Sequence, residues 1–359
     1  MTALTVPARP DEDDGALRPL PWRRMAWVTW RQHRIALAGV AALLGVLAVW
    51  LWSVGTRIHH AYDAMAACHP AGSAACQDLV SAFNNTDLMT NPAILLLVVP
   101  ALIGAFAGAP VLARELETGT FRFAWTQGFD RWRWALAKLA ALAVVLAGAG
   151  AAFGALVSWC YQPFSDAANL AQLYLGKGAP DHNTPFALVF GLREVTFPAW
   201  TLVAFAAGAL AGMLIRRVVP AIVTALAVYT GLAIAAAAFL REHYLTPLVT
   251  SRDVPGTAWI IGQWWTKDGR FAFAGRIPDT IWTQFCNSPQ SGKGGDPALA
   301  LPPGGWTAQC LGPHGYTMWT SYQPDSRFWP FQWIEGGWLL ALSVLLMAAA
   351  IWLVRRRAT

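Results

Sequence analysis

Six apolar runs decide what this chain can become. They fall at about 35–55, 92–112, 136–159, 195–215, 219–240 and 334–354. Each is close to the ~20 residues that a helix needs to cross about 30 Å of hydrocarbon. In lipid, a segment must satisfy its own backbone N–H and C=O groups, so isolated runs of this length dictate helices. Composition agrees: 56% of the 359 residues are hydrophobic and 13% charged, against about 25% charged in soluble domains. The expected fold class is an all-α integral membrane protein with six transmembrane helices and a large extracytoplasmic domain between helices 5 and 6. In such a chain the net charge of +6 anchors to anionic lipid and is no nucleic-acid footprint.

Arginine and lysine orient the spans. They gather before the first run, in 113–138, at Arg216-Arg217 and at Arg355-Arg356-Arg357, while 58–90 and 161–185 hold almost none. The positive-inside rule then puts both termini in the cytoplasm. Arg-over-Lys usage and abundant Ala suit a GC-rich bacterial genome, hence a bacterial plasma membrane. Residues 241–332 hold several basic residues, but long segments cross largely regardless of charge.

The expected organisation follows. Residues 1–20 are a disordered cytoplasmic tail, Pro-rich and acidic. Residues 21–34, PWRRMAWVTWRQHR, form an interfacial helix with Trp22, Trp27 and Trp30 at the headgroup layer, the alternative being a simple positive flank of the first span. Residues 35–240 carry helices 1–5 with a cytoplasmic loop at 113–138. Residues 241–332 form the extracytoplasmic domain, in which TAWIIGQWW and RFAFAG have strand character. Residues 333–359 hold helix 6 and a basic tail. The first apolar run starts too late, and without a small-residue cleavage site, for a signal peptide.

All five cysteines fall on the predicted oxidising side, where disulfides persist. Proximity along the chain pairs Cys68 with Cys76 and Cys286 with Cys310, one of the three connectivities open to those four, and leaves Cys160 free. Small residues four apart recur at Gly104 and Gly108, Gly150 and Gly154, Gly208 and Gly212. In lipid such pairs let helix backbones approach closely, so they are read as packing positions.

Chemistry-bearing motifs are few. There is no G-x-x-x-x-G-K-[ST]: Lys177 and Lys293 are followed by Gly178 and Gly294. There is no H-E-x-x-H and no G-x-S-x-G. The chain is therefore read as no enzyme, with no cofactor of its own. His59, His60, His69 and Cys68 match no common zinc spacing, and a disulfide would consume the cysteine, so no metal site is expected. Arg193, Glu194 and Glu335 lie at the outer ends of spans, as interfacial ion pairs or as the lining of a gate.

Ala113 to Lys138, ARELETGTFRFAWTQGFDRWRWALAK, is more than a connector. A short helical piece ending at Gly119 is followed by Phe121, Phe123 and Trp125 with no evident core to bury them. Acids on a short helix beside aromatics suit docking into a partner protein, with burial at the interface as the alternative.

Three stretches, WVTWRQHR at 27–34, ARELETGTFRFAWTQGFDRWRWALAKL at 113–139 and GALAGMLIRRVVPA at 208–221, resemble the ABC-2 type permeases of ABC transporters, in their actinobacterial branch. The resemblance implies a permease subunit, usually of an exporter, worked by separate ABC ATPases that bind ATP and Mg. It implies a second permease chain, identical or related, across a central pathway. It places Arg114, Glu115, Glu117, Gly119 and Thr120 in the region that couples to the ATPase, with Arg131 and Trp134 leading into span three. The competing reading is a membrane-anchored sensor whose Trp-rich outer domain binds a ligand. A lipid-acting membrane enzyme is weaker still, because no acid, base and nucleophile converge.

Overall fold

The computed structural model describes residues 22–70, 73–84, 90–118, 131–175, 190–252, 254–255, 257–275, 277–286 and 310–357. The expected tail at 1–20, and Gly119, Thr120, Phe121, Phe123 and Trp125 of the loop, lie outside the described residues.

Among the described residues, six helices are long and apolar enough to cross a membrane. Span one lies in Trp22–Ala66. Span two is built of Thr90–Ile103, a π-helical turn at Gly104–Gly108 and Ala109–Thr118. Span three lies in Arg131–Leu175, and span four is Thr196–Ile215. Span five is Val218–Ala235, continued by a π turn at Ala236–Leu240 and a 3-10 turn at Arg241–His243. Span six lies in Phe328–Arg357. A further helix, Ala74–Asn84, follows span one. The apolar runs fall within these helices to a residue. The helices overshoot the runs because hydrophobicity marks only the lipid-facing length. Those holding spans one and three have 45 residues each, about 70 Å at 1.5 Å per residue. Trp22–Ala66 has no break near residue 34, so the described part of the predicted interfacial helix, Trp22–Arg34, is continuous with span one and not a separate helix.

Spans two and four are the most enclosed, and one, five and six the least. Span four is the axis, and the three glycine pairs all pack on or within it. A methyl on Gly104 or Gly108 of span two would strike the backbone of Ala204 or Phe205 in span four. One on Gly208 or Gly212 of span four would strike Gly104, Gly108 or Ala109 in span two. Gly150 and Gly154 of span three lie against Pro198 and the Glu194 backbone at the head of span four. Two helices in lipid gain little from hydrophobicity, and bare backbone contact supplies dispersion instead. Pro100 and Pro110 bracket the π turn of span two. Each proline removes a backbone donor, and the wider turn, with Ala109 N–H donating to Gly104 O, accommodates the change in register.

The chain is mostly helical, but the expectation of an all-α fold is corrected. Between spans five and six stands a four-stranded antiparallel sheet in the order β1-β4-β2-β3, with β1 Leu248–Thr250, β2 Trp259–Lys267, β3 Arg270–Ala274 and β4 Tyr316–Gln323. Both stretches with strand character are strands. They form a hairpin through Asp268 and Gly269, whose φ values of 48° and 78° match the primed two-residue turn that suits strand twist. Trp265, Tyr316, Leu311 and Cys286 make the small core beneath it, and the Cys286–Cys310 disulfide closes that core. The Cys68–Cys76 disulfide ties the end of span one to the following helix. Cys160 is free and buried, with its thiol donating to Leu51 O at 3.2 Å.

Backbone contact at Gly208 has a measurable consequence. Gly208→Ala is expected to lower thermal stability in detergent by about 1–3 kcal/mol, the cost of overpacking. Gly148→Ala, with nothing within 4 Å of the added methyl, is the control and should leave the melting temperature unchanged or slightly raised. Equal effects of the two would refute the backbone-contact account.

Candidate functional site

Charged side chains are rare in the bundle and gather at its two ends. Two ion pairs join described residues, one at each end.

At the first end, Glu115 near the end of span two meets Lys138 near the start of span three, with Nζ to Oε1 at 2.5 Å. Lys138 is only 1% exposed, although it follows Trp134-Ala135-Leu136-Ala137 into an apolar run. A lone ammonium there would carry a heavy desolvation cost, so the carboxylate is what permits its burial. The Trp134 ring lies 5.0 Å from the same ammonium and adds a cation–π contact. His33 of span one is also close by. Its Nε2 and the second oxygen of Glu115 are buried with no partner among the described residues. Two residues on, Glu117 Oε2 accepts from the Val218 backbone N–H at 3.3 Å. That amide is an orphan donor in the first turn of span five, where a carboxylate also meets the positive end of the helix dipole. The last turn of span two thus grips span three by one acid and span five by the other.

This changes the reading of the predicted coupling residues. Glu115 is mostly buried against Lys138, whereas Glu117 is exposed while one of its oxygens accepts from the Val218 amide. Arg114 is exposed, as are Arg216 and Arg217 between spans four and five. Trp134 serves Lys138, and Arg131 begins the span-three helix. Gly119 and Thr120 lie outside the described residues. Sequence reading missed Lys138 and His33 as members of the cluster. The signal was present: a lysine one turn inside LAKLAALAVV requires a counter-charge.

At the other end, Glu335 of span six is fully buried and is served from two other spans. Trp200 Nε1 of span four donates at 3.0 Å, and Arg241 at the end of span five donates through Nε and Nη2, each at 3.0 Å. Tyr244 donates its hydroxyl at 3.3 Å and accepts from Trp338 Nε1 at 2.9 Å. Burial first, and the Glu335 charge second, push the Tyr244 phenol well above its usual pKa, so it stays a neutral donor. Gln332, one helical turn before Glu335, accepts from Thr196 N–H at 3.1 Å and donates to Phe190 O at 3.1 Å. The sheet is fastened to this end. Gln323 donates to Leu245 O and Arg327 to Thr246 O, each at 2.7 Å. Arg193 takes no part in the Glu335 pair. The partner is Arg241, which sequence reading left unassigned.

The Glu115–Lys138 pair makes a stability prediction. Lys138→Met alone strands a half-buried carboxylate and is expected to cost about 3–5 kcal/mol in detergent unfolding, whereas Lys138→Met with Glu115→Gln should recover most of that loss. Additive losses in the double-mutant cycle would mean that the two groups do not interact.

The family model described as ABC-2 membrane transporter related matches residues 41–241, more than half of the chain. No curated protein and no solved structure matches. The matched range runs from within span one to Arg241, and it contains the Glu115–Lys138 pair and all three glycine pairs. By this match, and with six spans arranged as described, the chain belongs to the ABC-2 membrane transporter related family.

Proposed function

We propose that this chain is the permease subunit of an ABC exporter, paired with a second permease chain and driven by separate ATPases that bind at the Glu115 end. That end faces the cytoplasm in this reading, in keeping with Arg114, Arg216, Arg217 and Arg355 gathered there. ATP and Mg stay with the ATPase. The sheet between spans five and six then lies outside the cell, on the same side as both disulfides.

The observation that carries the reading is the double grip of the last turn of span two. The chain continues from Thr118 into the loop that the resemblance assigns to ATPase contact. Force on that loop reaches the last turn of span two first. From there Glu115 passes it to span three through Lys138, and Glu117 passes it to span five through the Val218 amide. Exposed Arg114, with Arg216 and Arg217, presents cations to an acidic partner surface. Docking and transmission thus fall on different residues. A motor shifts a two-state bundle only by the difference in its affinity for the two states, so the loop must be held differently in each state.

The test is reconstitution of the full chain with the ATPase that co-purifies from native membranes. Arg114→Glu with Arg216→Glu is expected to cut ATPase capture by about tenfold, the loss of one or two charge-assisted contacts. Glu115→Gln should keep capture while the permease no longer alters ATP turnover. The reading fails if no ATPase co-purifies, or if Glu115→Gln couples as well as the wild type.

A further inference from the structure

We propose that Arg193 is an anion site that takes the phosphate of an acidic lipid headgroup at the Glu335 end of the bundle. This role is separate from motor coupling and does not depend on it. The guanidinium carbon lies 4.5 Å from the centroid of the Phe328 ring and 5.4 Å from that of Tyr161. Its Nε donates to Ser158 Oγ at 3.4 Å. Among the described residues, its two Nη groups have no hydrogen-bond partner and no carboxylate within ion-pairing distance. Glu194, next in the chain and held at φ 43°, stays beyond that distance. Aromatic faces attract a cation but leave the edge of the guanidinium open. That edge, two parallel N–H groups, matches two oxygens of a phosphate.

Arg241 supplies the comparison within the same molecule. It also lies over an aromatic ring, Phe190, at 4.6 Å, but its fork is filled by Glu335. Phe190 and Phe328 pack edge to face at 5.8 Å, so the two arginines occupy one layer, one in direct contact with a carboxylate and one not. Burial works against the charge on Arg193, yet a guanidinium does not give up its proton in a protein. Glu194 attracts it only from beyond ion-pairing distance, so among the described residues no anion binds the two Nη groups directly.

Depth identifies the source. Phe328 packs on Trp329 at 5.9 Å, and Trp329 and Trp333 are exposed at the head of span six. Tryptophans on the outer surface of spans mark the headgroup level, where lipid phosphates lie. Arg193 is itself partly exposed, so a headgroup oxygen has a path to it.

The experiment is native mass spectrometry of the full-length protein in neutral detergent. Phosphatidylglycerol is titrated against phosphatidylcholine, and soluble glycerol 3-phosphate is titrated separately. The wild type is expected to show one saturable site preferring phosphatidylglycerol. Arg193→Gln should weaken that site by about tenfold or more, the loss of one charge-assisted pair. Arg193→Lys keeps the charge without the fork and should fall between the two. Equal affinity for glycerol 3-phosphate would keep the anion site and overturn its lipid source. No phosphatidylglycerol preference in the wild type would overturn the proposal outright. So would unchanged binding in Arg193→Lys, which is the deciding variant if Arg193→Gln does not fold. No ATPase is present in this measurement, so its failure leaves the transport reading untouched.

Discussion

The contact on which the rest of the structure depends is backbone against backbone between spans two and four. Gly104 and Gly108 lie on Ala204 and Phe205, and Gly208 and Gly212 return the contact against Gly104, Gly108 and Ala109. In water two helices join because apolar side chains leave solvent. In lipid that gain vanishes, and close packing of bare surface takes its place. Span four is nearly all buried, which leaves spans one, five and six to face outward with Ile35, Val46, Val49, Val219, Val223 and Leu345 exposed. Those residues are not errors of folding, because the hydrocarbon is their solvent.

Ion pairs obey the opposite rule and, among the described residues, stand at the ends. Each end holds an ion-paired acid that joins different helices. Glu115 joins spans two and three, while Glu335 joins spans four, five and six with the chain just beyond span five. Such groups are poor sources of stability, because desolvation consumes most of their attraction. Their value is in register. A carboxylate that must meet one ammonium, or four donors from three directions, allows a single rotation and height for every helix involved. The glycine seam sets how near the helices lie, and the buried acids set how they are turned.

Much of this was legible in the sequence. Runs of about 20 apolar residues announce spans, glycines four apart announced the seam, and nearness along the chain gave Cys68–Cys76 and Cys286–Cys310 as the structure joins them. Two kinds of fact were not legible. Helix ends outrun the apolar runs because nothing in Arg23, Arg24 or Arg31 forbids helix, so the length of Trp22–Ala66 is invisible to hydrophobicity. Pairing across the bundle was the other. Glu335 was recognised as a charge that needs a partner, but Arg193 and Arg241 stand at similar depth, and only the fold shows which of them reaches it. The sheet falls between these cases. Asp268-Gly269 between two aromatic runs is a strong hairpin signal. Strand β4, YTMWTSYQ, is half polar, and its middle position in the sheet depends on two partners far away in sequence.

The two ends differ in a way that bears on mechanism. At the Glu335 end every oxygen of the acid is engaged, and the sheet is tied down through Gln323 and Arg327. At the Glu115 end, one carboxylate oxygen and His33 Nε2 are buried without partners among the described residues. A fully satisfied polar cluster resists rearrangement, since any motion strands a group. A partly satisfied one has less to lose and has contacts left to form. Between the two ends lies the glycine seam, which tolerates little change in separation because its atoms already touch. In a bundle with this distribution, the end with contacts left to form is the end where Glu115 lies. On the proposed reading, the seam and the Glu335 cluster are the fixed part of the bundle, and the Glu115 end is the part that a motor moves.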